Sequence, residues 1–242
     1  MNYRWMLVAA LLVSSVAAAQ NAIPSGTIVP VALETGLNAD RLHAGQPIRA
    51  EVMQNVPGTP IRRHARVLGH VIAVSSSTNG PARLELQFDS IETHGKRVPI
   101  QASLRALASF LDVEDAGVPE EGASRGITPE VATTEQIGGE QVYRGGGPVS
   151  DGLTAVGVPA PYGVLALPRP NADGNCRGVI GDNTKQQALW LFSTNACGVY
   201  GIANLHIEHA GRTDPMGTIV LSSATGKLKL YGGTGMLLRV RG

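Results

Sequence analysis

The stretch RLELQFDSIETHGKRVPIQASLR, residues 83–105, decides the fold class. Leu84, Leu86 and Phe88 alternate with charged or amide side chains, and a second alternating run follows in the latter half of the stretch. Alternation with a period of two is typical of a β-strand that has one buried face. Because a short turn containing Gly95 separates the two runs, the stretch predicts an antiparallel hairpin.

Further strands are predicted on both sides of this hairpin, and Gly, Asn and Pro turns separate them. Many short strands at such spacing are typical of a barrel or a sandwich. The sequence therefore predicts an all-β fold, a small antiparallel β-barrel or sandwich, with no strong amphipathic helix after the N-terminal segment. The other predicted strands cover residues 27–33, 48–53, 66–74, 188–192, 204–208, 218–222, 227–231 and 236–240.

Pro30 lies in the middle of the first predicted strand. Proline has no backbone N–H, so we expect this strand to be a sheet edge or to be kinked at Pro30. An edge strand offers unpaired N–H and C=O groups to another chain. The first strand is therefore a candidate contact for a partner, and Pro30 would limit the backbone pairing there.

The chain is predicted to have four parts. Residues 1–19 form a signal peptide, 20–111 the first half of the β domain, and 153–242 its second half. The intervening segment, 112–152, is rich in Gly and contains scattered acidic residues. Such a composition buries too little apolar surface to offset the entropy of ordering, so we expect a flexible insertion or linker.

The N-terminal residues predict export from the cytoplasm. Arg4 precedes a short apolar run, and small residues end at Ala19, so cleavage is expected between Ala19 and Gln20. The alternative is an uncleaved anchor helix. The apolar run is about a dozen residues, shorter than the roughly 20 that a spanning helix needs. We therefore expect a periplasmic or extracellular protein that keeps no transmembrane anchor.

The net charge excludes some classes of partner, and the cysteine content predicts a disulfide. The formal net charge is +1, and cleavage removes Arg4, so the mature chain offers no basic surface for nucleic acid or a polybasic membrane contact. Its two cysteines, Cys176 and Cys197, predict one disulfide in an oxidising compartment. The alternative is two buried free thiols.

No catalytic motif stands in the context that it requires. The G-x-S-x-G pattern at Gly122–Gly126 falls in the Gly-rich segment rather than at a turn between a strand and a helix, where a nucleophile elbow lies. There is no H-E-x-x-H pair and no glycine-rich loop between a strand and a helix. His206, Glu208 and His209 resemble a metal cluster, but positions three apart on a strand point to opposite faces. We therefore expect no enzyme activity, no cofactor and no metal site.

Trp190 and Phe192 form the candidate ligand-binding face. If residues 188–192 form a strand, these two rings share one face, and an aromatic face could bind a glycan or a peptide. Core packing is the alternative for the same pair.

Two sets of segments resemble known proteins. Residues 23–38, 45–52 and 65–71 resemble the C-terminal β-barrel of the TrbI-like subunits of conjugative and type IV secretion core complexes, in which a strand opening with Gly-Thr precedes the next strands. Arg62 and His64 stand where that family has a turn Pro and Gly. The resemblance implies a barrel that works by assembly in the cell envelope.

The second half resembles uncharacterised bacterial secreted proteins, on segments such as residues 187–193, 196–201, 209–214 and 233–240. That resemblance implies a shared architecture, with both halves in one barrel that the Gly-rich segment interrupts. The leading hypothesis is an exported, non-enzymatic envelope protein that binds or assembles with another macromolecule. The alternatives are a small-ligand or glycan-binding β module and an uncharacterised hydrolase.

Overall fold

The computed structural model describes residues 23–77, 80–116, 133–139, 141–143, 149–151, 154–157, 159–160, 163–166, 189–209 and 216–241. Strands dominate them, which confirms the all-β class. The first seven strands are β1 (Thr27–Leu33), β2 (Leu37–Asn38), β3 (Pro47–Val52), β4 (Arg66–Ser75), β5 (Ala82–Thr93), β6 (Lys96–Pro99) and β7 (Gln101–Ala108).

A short helix follows β7, and the remaining strands come after it. These elements are α1 (Phe110–Ala116), β8 (Thr133–Glu135), β9 (Gln141–Tyr143), β10 (Val149–Asp151), β11 (Thr154–Gly157), β12 (Pro159–Ala160), β13 (Gly163–Ala166), β14 (Gly198–Tyr200), β15 (Leu205–Ile207), β16 (Ile219–Ser223), β17 (Lys229–Leu230) and β18 (Gly235–Arg241).

Ten strands form one sheet, in the order β14-β7-β18-β1-β3-β4-β5-β16-β15, and β6 pairs with β5. All of these pairs are antiparallel except β14 with β7. The path does not close into a barrel, so the barrel alternative is wrong in that respect. Because β18 lies between β7 and β1, strands from both halves of the chain share the sheet. Smaller sheets pair β2 with β17, β10 with β11, and β12-β13-β9-β8.

The prediction that β1 is an edge strand is wrong. Strand β1 lies between β18 and β3. The Pro30 carbonyl accepts a bond from the Met53 N–H, at 3.0 Å, just beyond the last registered β1–β3 pair, Val31 with Val52. In an antiparallel strand the N–H and C=O of one residue point to the same side. The nitrogen of Pro30 therefore faces the end of the β3 ladder, and its missing proton costs no bond to β18.

The predicted turn is confirmed, but the hairpin that it closes joins β5 to the short β6. Most of the second predicted run is β7, which pairs with β18 and β14 instead. Strand β5 also contains a bulge that the pattern did not reveal. His94 and Gly95 form a two-residue turn with φ of 49° and 70°, as a type I′ turn requires. In the β4–β5 pair, Leu68 faces Ser90 whereas Gly69 faces Phe88, so Asp89 is the extra residue. A bulge shifts the side-chain alternation by one position. Ile91 therefore reaches the core together with Phe88.

The buried residues form two clusters on opposite faces of β7 and β18. The main core lies on one face and includes Leu104, Leu107 and Met236. The second cluster lies on the other face and combines residues of these strands with α1 and the segment around position 190. This layering explains why β7 is buried at every position after Gln101. The second cluster contains Ala106, Ala108, Ala116, Ile137, Leu189, Leu191, Phe192, Ala196, Tyr200 and Leu237.

Helix α1 was not predicted, and it crosses the expected boundary between residues 111 and 112. Strands β8, β9 and β10 also fall within the segment that was predicted to be a flexible insertion. The other residues of 112–152 lie outside the described ranges. Within the described ranges, no helix has the length and the apolar character to cross a membrane.

Ser109 caps helix α1. Its hydroxyl accepts the Asp112 N–H at 3.1 Å and donates to the Asp112 carboxylate at 2.9 Å. This bond satisfies one of the N–H groups that a helix start leaves without a partner. Asp112 also places a negative charge in the first turn, where the helix dipole favours it.

Ser109→Ala should therefore lower the free energy of unfolding by about 1 kcal/mol. Ser109→Thr keeps a capping hydroxyl and should change it by less than half of that amount. Urea denaturation of both variants measures the difference. Equal midpoints for the Ala and Thr variants would show that the cap does not stabilise α1.

Candidate binding surface

The predicted ligand-binding face is not an exposed face. Residues 189–192 form a turn, in which the Phe192 N–H donates to the Leu189 carbonyl at 3.0 Å, so the predicted strand is wrong here. Trp190 has a φ of 59°, which a strand does not allow. The Phe192 side chain is 0 % exposed, and its ring centroid lies 6.3 Å from that of the half-buried Trp190. The pair is therefore mainly part of the second cluster.

The segment before Cys197 is held by a buried arginine. Arg105 is the extra residue where the β7–β18 register shifts, and it is 2 % exposed. Its Nε donates to the Ala196 carbonyl at 2.9 Å, and its Nη2 donates to the Thr194 carbonyl. A guanidinium supplies several donors in a rigid fork, so one side chain fixes this loop against the sheet.

Cys197 is buried, and its N–H donates to the Tyr200 hydroxyl at 3.1 Å. Its expected partner, Cys176, lies outside the described residues, so the disulfide stays a prediction. Ala19 and Gln20 also lie outside them, and signal cleavage stays a prediction too.

The His206–His209 segment is built around an ion pair. Glu208 accepts a bond from the Arg83 guanidinium, which also donates to Glu85 at 2.9 Å. The Glu85 carboxylate, with Glu208, holds the pKa of Arg83 above its ordinary value. His206 and His209 are exposed. In the described part of the chain, no group of three or more His, Cys, Asp or Glu side chains could hold a metal ion.

A different surface exposes large apolar side chains. Among the described residues these are Phe110, Leu111 and Tyr231, which are 37 %, 67 % and 58 % exposed. We call these three residues the apolar tip. A Cβ atom on Gly233 would lie 2.6 Å from the Phe110 ring, so Phe110 packs against the turn that follows Tyr231. The topology explains this placement, because α1 begins where β7 ends and β18 starts beside it.

A shallow cleft adjoins Tyr231. It measures about 340 Å³, and strands β2 and β17 form its middle. Two cations, Arg41 and Lys229, line it, and the Lys229 ammonium lies 4.4 Å from the centroid of the Tyr231 ring. We call this feature the β2–β17 cleft. Its lining residues are Gly36, Leu37, Asn38, Arg41, Lys229, Leu230, Tyr231 and Gly232.

Neither the apolar tip nor the β2–β17 cleft was predicted from the sequence. Residues 227–231 were predicted as one strand, and Phe110 and Leu111 carried no motif. The signal in the sequence was weak, because exposure of a single apolar residue is common and depends on what packs over it. The tip and the cleft share Tyr231, so we treat them as one candidate surface.

The fold and this surface define an all-β protein with exposed apolar side chains and a cleft that two cations line. Comparison with known proteins adds no family to this class. No protein-family model matches the chain. No curated protein matches it either.

Proposed function

We propose that this chain is an exported, non-enzymatic envelope protein that acts by binding another macromolecule. The observation that carries the proposal is the apolar tip: Phe110 and Leu111 are exposed at the start of α1, and the Phe110 ring packs at Gly233, two residues after the exposed Tyr231. Exposed apolar groups that cluster beside polar residues mark interaction sites more often than scattered ones do. Aromatic residues are also enriched at the centres of protein interfaces.

The resemblance to TrbI-like subunits supports the same reading, because those subunits work by assembly in the envelope. The route of contact differs from the one that the sequence suggested. Strand β1 lies inside the sheet, so its backbone is not available as an edge. The partner would instead contact side chains at the end of the sheet where β7 leads into α1. The partner we propose is an envelope protein.

The glycan-binding alternative has less support. It depended on an exposed pair of rings at Trp190 and Phe192, and Phe192 is fully buried. We therefore favour a protein partner over a sugar.

Leu111→Glu should lower recovery of this partner by about tenfold, because the carboxylate would lose water at an apolar contact. Leu111 is 67 % exposed near the start of α1, so the substitution leaves the core intact. The measurement is quantitative mass spectrometry after mild crosslinking in cells and isolation of the tagged protein.

Gln101→Glu is the matched control. It adds the same charge at an exposed position at the opposite end of β7 from α1. Gln101 lies seven residues, or roughly 23 Å along the strand, from Ala108, where β7 ends. The control should recover the partner at the wild-type level. Equal recovery with both variants would remove the apolar tip from the proposal, and recovery of monomer alone from the wild type would contradict the proposal itself.

A further inference from the structure

The β2–β17 cleft has an uneven charge distribution. Among the described residues that line it, the two charged ones are both cations, Arg41 and Lys229, and none is a carboxylate. Both side chains are exposed. Within the described ranges, none of the salt bridges involves either of them. The cleft therefore presents positive charge toward solvent on a chain that is close to neutral overall.

The local backbone explains why these groups point outward together. Leu37 pairs with Leu230, and Asn38 pairs with Lys229. Both leucines are buried, whereas Asn38 is half-buried and Lys229 is exposed. Directly opposed residues share a face in an antiparallel pair, and successive residues alternate. The leucine pair therefore forms the floor, and Asn38 and Lys229 stand on the open face.

Asn38 adds a hydrogen-bond donor to this face. Its Oδ1 accepts the Asp40 N–H at 3.1 Å. A side-chain amide carries two donors on its nitrogen, and this bond leaves them available to a ligand. The cleft thus combines a guanidinium, an ammonium and an amide N–H group, which is a set of donors suited to an oxyanion.

Gly36 leaves no side chain at one wall of the cleft. A Cβ atom at Gly36 would lie 2.8 Å from the Leu230 carbonyl oxygen. A side chain at that position would displace the backbone of β17, so the wall consists of main chain there. The resulting volume of about 340 Å³ lies at the small end of ligand pockets, which fits one or two side chains.

We propose that the β2–β17 cleft binds a side-chain carboxylate of an acidic segment in the protein partner, next to an apolar side chain that packs on Tyr231. This inference rests on the proposed function and names the chemistry of the partner. Arg41 would hold the carboxylate by paired N–H donors, since the guanidinium fork matches a carboxylate. Lys229 would add charge while remaining over the Tyr231 ring.

Charge favours a peptide over a membrane or nucleic acid. Two cations are fewer than the clusters of about four to eight that anionic lipid surfaces select. Nucleic acids require a longer basic track along their phosphates. A single carboxylate beside an apolar residue needs one cationic pair and one exposed ring, and the cleft supplies these.

Fluorescence anisotropy of the mature protein with labelled, end-capped peptides tests the inference. The probe is Gly-Asp-Phe-Glu-Leu-Gly, and its uncharged counterpart is Gly-Asn-Phe-Gln-Leu-Gly. We expect the acidic peptide to bind about tenfold more tightly. Its affinity should fall as salt is raised, because exposed charges are screened.

Variants locate the site. Arg41→Gln and Lys229→Gln should each weaken binding of the acidic peptide by about threefold to fivefold, and the double variant by about tenfold or more. Lys227→Gln is the matched control, because it removes the same charge from an exposed position outside the cleft lining. It should change the affinity by less than about twofold.

Equal binding of the acidic and the uncharged peptide would overturn the inference, and so would an unchanged affinity in the double variant. A third contrary result is that the protein does not bind the peptide but binds phosphatidylglycerol vesicles, and that the double variant does not bind these vesicles. The proposed function fails separately. If cell crosslinking recovers an envelope partner that depends on Leu111 but the peptide does not bind, the cleft inference falls and the function stands. If the peptide binds through the cleft and crosslinking recovers no partner, the proposed function falls, and only the preference of the cleft for an acidic, apolar segment stands.

Discussion

Gly69→Ala is expected to lower the free energy of unfolding by about 3 kcal/mol or more. A Cβ atom at Gly69 would lie 2.0 Å from the Gln87 carbonyl oxygen and 2.9 Å from the Phe88 Cα atom. Both are backbone atoms, so no side-chain rotation relieves the clash. The β4 and β5 strands would have to separate at the bulge, in the longest pairing of the sheet. Denaturant titration of the mature protein measures the loss.

Gly58→Ala serves as the control for this prediction. Gly58 has a φ of 73°, and a Cβ atom there would meet nothing within 4 Å. Gly58→Ala should lower the free energy of unfolding by about 1 kcal/mol, which is the strain of an alanine in the left-handed conformation. If Gly69→Ala cost no more than Gly58→Ala, the two strands would not approach as closely as the bulge requires.

Phe192→Ala is expected to destabilise the protein by about 3–5 kcal/mol. Its side chain is 0 % exposed, and the ring packs over β18, where a Cβ atom on Gly235 would lie 3.2 Å from Cζ. Removing the ring would leave a cavity between the sheet and the turn at residues 189–192. The same substitution also separates the two interpretations of Phe192, because a ligand-binding ring on the surface would cost little stability.

Leu111→Ala is the comparison for Phe192→Ala, since Leu111 is 67 % exposed. Its effect on the unfolding free energy should stay within about 0.5 kcal/mol. Thermal or urea unfolding of the two variants gives the contrast. A Phe192→Ala protein of wild-type stability that no longer shows tryptophan quenching by added sugars would favour the glycan-binding alternative.

The strands whose faces differ clearly in polarity were predictable from the sequence. Strands β3 and β5 alternate between buried and more accessible residues as the pattern indicated. The turn at His94 and Gly95 was also predictable, because the residue types in a short turn determine its conformation. Phe88 and Ile91 are both apolar and buried, although residues three apart on a regular strand point to opposite faces. This spacing was the signal in the sequence for the bulge.

Other features depend on tertiary contacts that no local pattern reports. Pro30 suggests an edge on its own, but the β3 ladder ends beside it and makes an interior position acceptable. The apolar run at residues 188–192 is compatible with either a strand or a buried turn. Trp190 has a positive φ in a turn whose apolar residues pack into the second cluster.

The candidate surface could not be predicted from local sequence patterns either. Arg105 takes a polar position in the second alternating run of the sequence, yet the β7–β18 register shifts at Arg105 and its guanidinium donates to the Thr194 and Ala196 carbonyls. Phe110 and Leu111 are distant from Tyr231 in the sequence, and the Phe110 ring reaches the turn after Tyr231 only because β7 and β18 are neighbours. Their exposure is a property of the folded sheet.

Site-specific photocrosslinking in living cells is the most direct test of the claim that this protein works by binding an envelope partner. A photoreactive phenylalanine derivative is placed at position 111 or 231 in the apolar tip, or at position 101 as the control. The account predicts one reproducible adduct with an envelope protein from positions 111 and 231, and none from 101. Only monomer at all three positions would contradict it.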